Sequence, residues 1–225
     1  MLLTDYLKAG TERHPEKLAL IHGAKSFTYG EVYKAAMGIA AGLLEFGREP
    51  GFRCALLNDD PFDYIASYFG VLLAGGVVVG LNTQTSDSSL AYVLNDCQAS
   101  VLFIAHKFVR HAEAVLPQVA SLQMLVISGA GENAQQGGKR WHTHSFSDLS
   151  ERPQPTESGL PFRSSCDFAQ IIYTSGTTGK PKGVVLRHAN LAANTHSIVS
   201  YLDLQPTDRV MAVLPFFYSY GNSIM

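Results

Sequence analysis

Eleven consecutive residues, Tyr173-Thr174-Ser175-Gly176-Thr177-Thr178-Gly179-Lys180-Pro181-Lys182-Gly183, gather four aliphatic hydroxyls, three glycines and two lysines between apolar runs. A polyphosphate calls for such a set, because its crowded anionic oxygens require many converging donors and cations close by. Gly176, Gly179 and Gly183 let backbone N–H groups turn inward and approach the ligand closely. Thr174, Ser175, Thr177 and Thr178 add uncharged hydroxyl donors, and Lys180 and Lys182 add ammonium groups on flexible stems. Pro181 stiffens the chain between the lysines, which reduces the entropy lost when a ligand orders it.

The run is not a Walker A loop, since the GxxxxGK[ST] spacing is absent and Pro181 follows Lys180 where a hydroxyl would be needed. Its flanks, Phe168 to Tyr173 and Gly183 to Leu186, are short and rich in β-formers, so the expected local structure is strand, loop, strand. On chemistry alone a solvated hairpin without a ligand stays open, because turns of this composition are common.

The elements that must position the loop follow from the first half of the chain. Helix and strand signals alternate there, the pattern of a mostly parallel sheet covered by helices, so the expected fold class is α/β. Thr28 and Glu31 form a capping-box pattern. Behind it Val32, Ala35, Ala36, Ile39, Ala40 and Leu43 make one apolar face, and Gly47 is placed to end the helix. A strand near Cys54 to Leu57, a helix opened by Pro61, a strand at Val77 to Val79, a helix around Leu90 to Asp96 and a strand near Val101 to Ile104 continue the series. The expected organisation is an α/β subdomain over residues 1–128, an irregular surface linker over 129–165, and the hairpin, a helix and the start of a second α/β subdomain over 166–225.

Composition excludes several classes of function. At 46% hydrophobic and 16% charged, 225 residues suffice for a large core, and a net charge of −2 provides no general attraction to nucleic acid or anionic membrane. Cys54, Cys97 and Cys166 lack CxxC spacing, which predicts neither a disulfide nor a zinc site and favours a reducing compartment. The N-terminus reaches Asp5 too soon for a secretory signal, so a cytoplasmic location is expected. The uncharged stretch from Tyr64 to Ser86 is divided by Gly75-Gly76 and reads as a core helix and strand, not a membrane span. His142 and His144 stand two apart in the linker but have no further ligand set in metal spacing, and His188 and His196 read as surface or capping residues. None of the eight histidines is assigned to catalysis.

The run YTSGTTGKPKG resembles the phosphate-loop signature of the adenylate-forming superfamily, which includes acyl-CoA synthetases, nonribosomal peptide adenylation domains and firefly-type luciferases. Weaker landmarks fall in family order along nearly the whole chain. Phe27 to Val32 is similar to the early TYxEL segment. Leu72 to Val79 with Leu90 to Asp96 is similar to the LKAGxxxVPL and LxYxLxD region, and Leu214 to Gly221 to the motif that follows the loop. Tyr218 stands where many acyl-CoA synthetases carry a histidine.

This resemblance implies the front part of the large N-terminal domain of such an enzyme, with the magnesium ligand, the ribose-binding aspartate and a catalytic lysine expected beyond Met225. It further implies ATP bound through Thr174 to Lys180 and Lys182, a pocket for substrate or nucleotide near Tyr218 and Gly221, Mg2+, and CoA or phosphopantetheine as acceptor. The implied activity is AMP-forming activation of a small carboxylic acid followed by thioester formation, with a carrier protein as a further partner and the isolated front part expected to be inactive. An amino-acid adenylation module and a non-catalytic nucleotide-binding fragment are the alternatives. The apolar stretch from Val210 to Met225 predicts an uncovered face and self-association.

Overall fold

The computed structural model describes residues 1–129, 140–174 and 180–223. Its chain order begins with α1 (Thr4–Arg13), β1 (Leu18–His22), β2 (Lys25–Thr28), α2 (Tyr29–Glu45), β3 (Arg53–Leu57), α3 (Pro61–Leu73) and β4 (Val77–Gly80). It continues with α4 (Asp87–Asp96), β5 (Val101–Ala105), α5 (His106–Glu113), β6 (Met124–Ser128), β7 (His142–Ser145), α6 (Phe146–Ser150), β8 (Phe168–Thr174), β9 (Lys182–Arg187), α7 (His188–Tyr201) and α8 (Ser219–Asn222).

Local chemistry sets several of these boundaries. Thr28 Oγ1 accepts from Glu31 N at 3.2 Å and Glu31 Oε2 accepts from Thr28 N at 2.7 Å, the reciprocal cap that the sequence predicts for α2. All six residues of its predicted apolar face are buried. At α3, Pro61 occupies the first turn, and Asp60 caps the helix by accepting from the N–H groups of Phe62 and Asp63. The stretch from Tyr64 to Ser86 divides as expected: α3 ends at Leu73, Gly75 turns the chain at φ +99°, and β4 follows. Among the described residues no helix is long and apolar enough to cross a membrane.

A two-stranded antiparallel sheet pairs β1 with β2, and a seven-stranded sheet has the order β7-β6-β5-β3-β4-β8-β9. Six of these strands run parallel, and β9 returns antiparallel along β8 at one edge. Strand alternation divides the core. Cys54, Leu56, Val78, Val101, Phe103 and Val126 face α2, α3 and α6, whereas Ala55, Leu57, Val79, Leu102, Ile104 and Ile127 pack with residues of α4 and α5. The parallel strands are therefore apolar at both parities, because helices cover both faces.

Within residues 129–165 the composition predicts irregular surface, and the stretch from His142 to Ser150 corrects that. β7 pairs in parallel with β6, and α6, capped by Ser145 accepting from Asp148 N at 3.0 Å, buries Phe146 and Leu149 against α2. β7 reads His-Thr-His-Ser, with no aliphatic residue to signal a strand. Residues 130–139, including the Gln135-Gln-Gly-Gly run, lie outside the described residues. The hairpin joins the same sheet as the first half of the chain, since β4 pairs with β8.

Candidate nucleotide-binding site

In a sheet of parallel strands the carboxyl ends share one edge, where ligands of doubly wound α/β proteins collect. β8 brings Thr174, at the start of the hydroxyl-rich run, to that edge. Its last residue, Thr174, is directly paired with Lys182, the first residue of β9, so the predicted strand, loop, strand arrangement is present. Thr174, Lys180 and Lys182 are exposed at the neck of the hairpin, and among the described residues neither ammonium is paired with a carboxylate. Ser175, Gly176, Thr177, Thr178 and Gly179 lie outside the described residues.

The second motif, Leu214 to Gly221, reaches the same edge by a different route. Gly80 closes β4, the strand beside β8, and a Cβ on it would come within 3.2 Å of Phe217 Cα and 2.7 Å of the buried Tyr64 hydroxyl. The Tyr64 ring lies 5.7 Å from that of Phe216. Tyr218 is 47% exposed and leans on Phe217 at 4.4 Å. At Gly221 a Cβ would collide with the carbonyl oxygens of Pro215 at 2.2 Å and Leu214 at 2.6 Å, so this position needs glycine for the turn to fold onto itself. Ser219, Asn222 and Ser223, between and beyond these two residues, line a cavity of about 170 Å³ with Tyr68, Ile172 and Leu186. Fully buried Gln170 stands beside it, its Oε1 accepting from the Tyr68 hydroxyl at 3.1 Å. Burial pushes the Tyr68 phenol well up, so it remains a donor.

The histidines divide by environment. His196 is exposed, but His188, which the sequence reads as surface or capping, is 1% exposed, and its Nδ1 accepts from Leu3 N at 3.3 Å. Burial, then the Arg163 charge, lowers its pKa to about 4, so the ring is neutral at neutral pH. It opens α7 under the N-terminal segment, a long-range contact that no local pattern encodes. His144 packs at 4.4 Å on the Phe46 ring, and burial, then His142, lowers its pKa. Among the described residues no group of three or more His, Cys, Asp or Glu side chains is arranged to hold a metal. Cys54, Cys97 and Cys166 are free thiols, and burial raises Cys54 well above its ordinary value and Cys97 to about 11.

Two residues that the sequence places on a helix and in the LxYxLxD landmark, without a role in the site, touch the neck of the hairpin. Asp96 Oδ2 accepts from the Tyr173 hydroxyl at 2.5 Å, and Lys180 Nζ lies 5.7 Å from the centre of the Tyr92 ring. A carboxylate closing a helix, where the backbone carbonyls disfavour it, is the signal that would have revealed Asp96.

Comparison with known proteins agrees with this geometry. The family model described as AMP-binding enzyme matches residues 7–225. A long-chain-fatty-acid–CoA ligase of Thermus thermophilus is 32% identical over 85% of this chain and 34% of its own. A 3-hydroxybenzoate–CoA ligase of Aromatoleum is 27% identical over 92% of this chain and 38% of its own. An anthranilate CoA ligase, solved with anthranoyl-AMP, superposes with a TM-score of 0.89 at 28% identity, covering 99% of this chain and 42% of that one. The chain thus spans less than half the length of these relatives.

Proposed function

Because the chain belongs to the AMP-binding enzyme family, we propose that its hairpin grips the phosphates of ATP in an AMP-forming acid–thiol ligase of the acyl-CoA synthetase type. The supporting observation is the exposed pair of lysines at the neck of the hairpin, beside the carboxyl end of a parallel strand. In the proposed reaction a carboxylate oxygen attacks the α-phosphorus, the bond to pyrophosphate breaks, and an acyl-adenylate forms. A thiol then displaces AMP to give a thioester, with CoA or a carrier-protein pantetheine as acceptor.

The hairpin acts in the first half. Ser175 to Gly179 with Thr174 donate to the β- and γ-phosphates, and Lys180 and Lys182 offset the charge that builds on the departing pyrophosphate. Mg2+, when bound with the nucleotide, would supply positive charge against the phosphates, and no ligand for it is assigned among the described residues. The named relatives act on fatty and aromatic acids, which supports an acid without an α-ammonium over an amino acid. Tyr218 and Gly221 are assigned to a pocket for the acid or the nucleotide, and the protein is proposed to work in the cytoplasm.

Carboxylate-dependent exchange of labelled pyrophosphate into ATP by the complete enzyme tests the assignment. Loss of one preorganised donor costs about 3 kcal/mol in the transition state. Lys182→Ala and Thr177→Ala are each expected to slow exchange at least ~10-fold with an unchanged circular dichroism melt. Wild-type exchange in both variants would remove the loop from the reaction. ATP binding without exchange for any acid would leave the non-catalytic nucleotide-binding alternative.

A further inference from the structure

Helix α4 lies across the neck of the hairpin and touches both of its ends. Tyr173, next to last in β8, donates its phenol to Asp96, and Lys180, just ahead of β9, rests its ammonium over the Tyr92 ring within cation–π range. Tyr92 and Asp96 are four residues apart and so share one face of the helix. Both ends of the loop are therefore tied to a single helical surface.

Two independent features fit this arrangement. Asp96 closes α4, where the macrodipole disfavours an acid; Arg53 donates to the Cys97 carbonyl at that helix end, and the Tyr173 phenol donates to the Asp96 carboxylate itself. Gly183 stands opposite Tyr173 in the hairpin register. A Cβ there would meet Ile171 Cγ2 at 2.9 Å, Tyr173 Cζ at 3.1 Å and the Tyr173 hydroxyl at 3.4 Å, so the missing side chain leaves room both for Ile171 and for the ring that reaches Asp96. Burial, followed by the hydrogen bond to Asp96, holds the Tyr173 phenol protonated and able to donate.

We propose that Asp96 and Tyr92 are positioning residues for the phosphate-binding hairpin, with Asp96 fixing β8 through Tyr173, Gly183 keeping that path open, and Tyr92 holding Lys180 at the mouth of the loop. The inference rests on the reading of the hairpin as an ATP site. It gives the final glycine of the signature a role apart from the phosphates and gives α4 a role apart from packing.

Hydrogen exchange of the ligand-free protein and titration with MgATP test it together. In Tyr173→Phe, Asp96→Ala and Gly183→Ala, amides of residues 171–174 and 182–185 are expected to exchange about tenfold faster, while β3 to β6 keep wild-type protection. ATP affinity is expected to fall by about the same factor. Asp96→Asn, which retains an acceptor oxygen, restores both readouts, and the double variant Tyr173→Phe/Asp96→Ala is no worse than either single one because both break the same bond. Tyr92→Leu weakens ATP binding about threefold without changing β8 exchange.

Wild-type hairpin exchange in Tyr173→Phe and Asp96→Ala overturns the tie even where the wild-type protein binds ATP. Failure of the wild-type protein to bind ATP overturns the positioning role by removing the site itself.

Discussion

In β5 all five residues are buried, whereas in β9 five of six are exposed and the sixth is half-buried, although both strands belong to one sheet. β5 lies between two parallel neighbours with helices on both faces, so every side chain contributes to a core. β9 is held by backbone pairing to β8 on one side only, which frees its side chains from packing. Stability is thus concentrated in the centre of the sheet and chemistry at its edge. The proposed phosphate-binding role would gain from that division, because the lysines must stay in water until a ligand arrives, while the strands that aim the loop must not move.

The sharpest way to break this contrast is to truncate an aliphatic side chain in each region. Leu56→Ala, in the fully buried centre of β3, is expected to cost about 3 kcal/mol in urea denaturation, and Val185→Ala in β9 no more than about 0.5 kcal/mol. Equal losses would mean that the hairpin is as much a part of the cooperative core as β3. A second comparison uses pH. His188 titrates near 4 in the folded protein and near 6.5 when unfolded, so the unfolded chain binds the extra proton first. Stability from its neutral burial is complete above pH 6.5 and declines as pH falls towards 4, by up to about 3 kcal/mol. His188→Gln should flatten that part of the stability profile, and an unaltered slope would assign the acid sensitivity to other groups.

Smaller effects refine the picture. Asp60→Ala removes the cap of α3 and is expected to lower stability by about 1 kcal/mol, with the helix retained. Val184 and Val185 on β9, and Met211 and Val213 in the stretch from Val210 to Met225, leave apolar surface in water. The chain is proposed to self-associate there, and Val185→Lys should shift light scattering towards monomer with little change in melting temperature. A monodisperse wild-type monomer at high concentration would dismiss that surface as an interface.

Where local chemistry decides an element, the sequence was enough to read it. The Thr28 and Glu31 cap, Pro61 at the start of α3 and the unbroken aliphatic run at β4 each carry their instruction within a few residues. The hairpin was legible for the same reason, and so was the family, since the signature lies in one continuous run. What escaped was written across distance. β7 has no aliphatic residue and becomes a strand only because β6 offers it an edge. His188 is buried by an N-terminal segment 185 residues away. Asp96 reads as the polar end of a packing helix until Tyr173 comes back beside it, 77 residues later.

The pairing of β4 with β8 also has a consequence for the order in which the protein assembles. Val78 meets Gln170 across 92 residues of chain, whereas β3, β4, β5, β6 and β7 pair across much shorter separations. Closing the longest loop costs the most entropy and is repaid last, so the inner strands can assemble before β8 has been synthesised. On a ribosome, the nascent chain would expose one open parallel edge at β4 until the hairpin arrives to seal it. The element proposed to bind the ligand would then also be the piece that completes the fold.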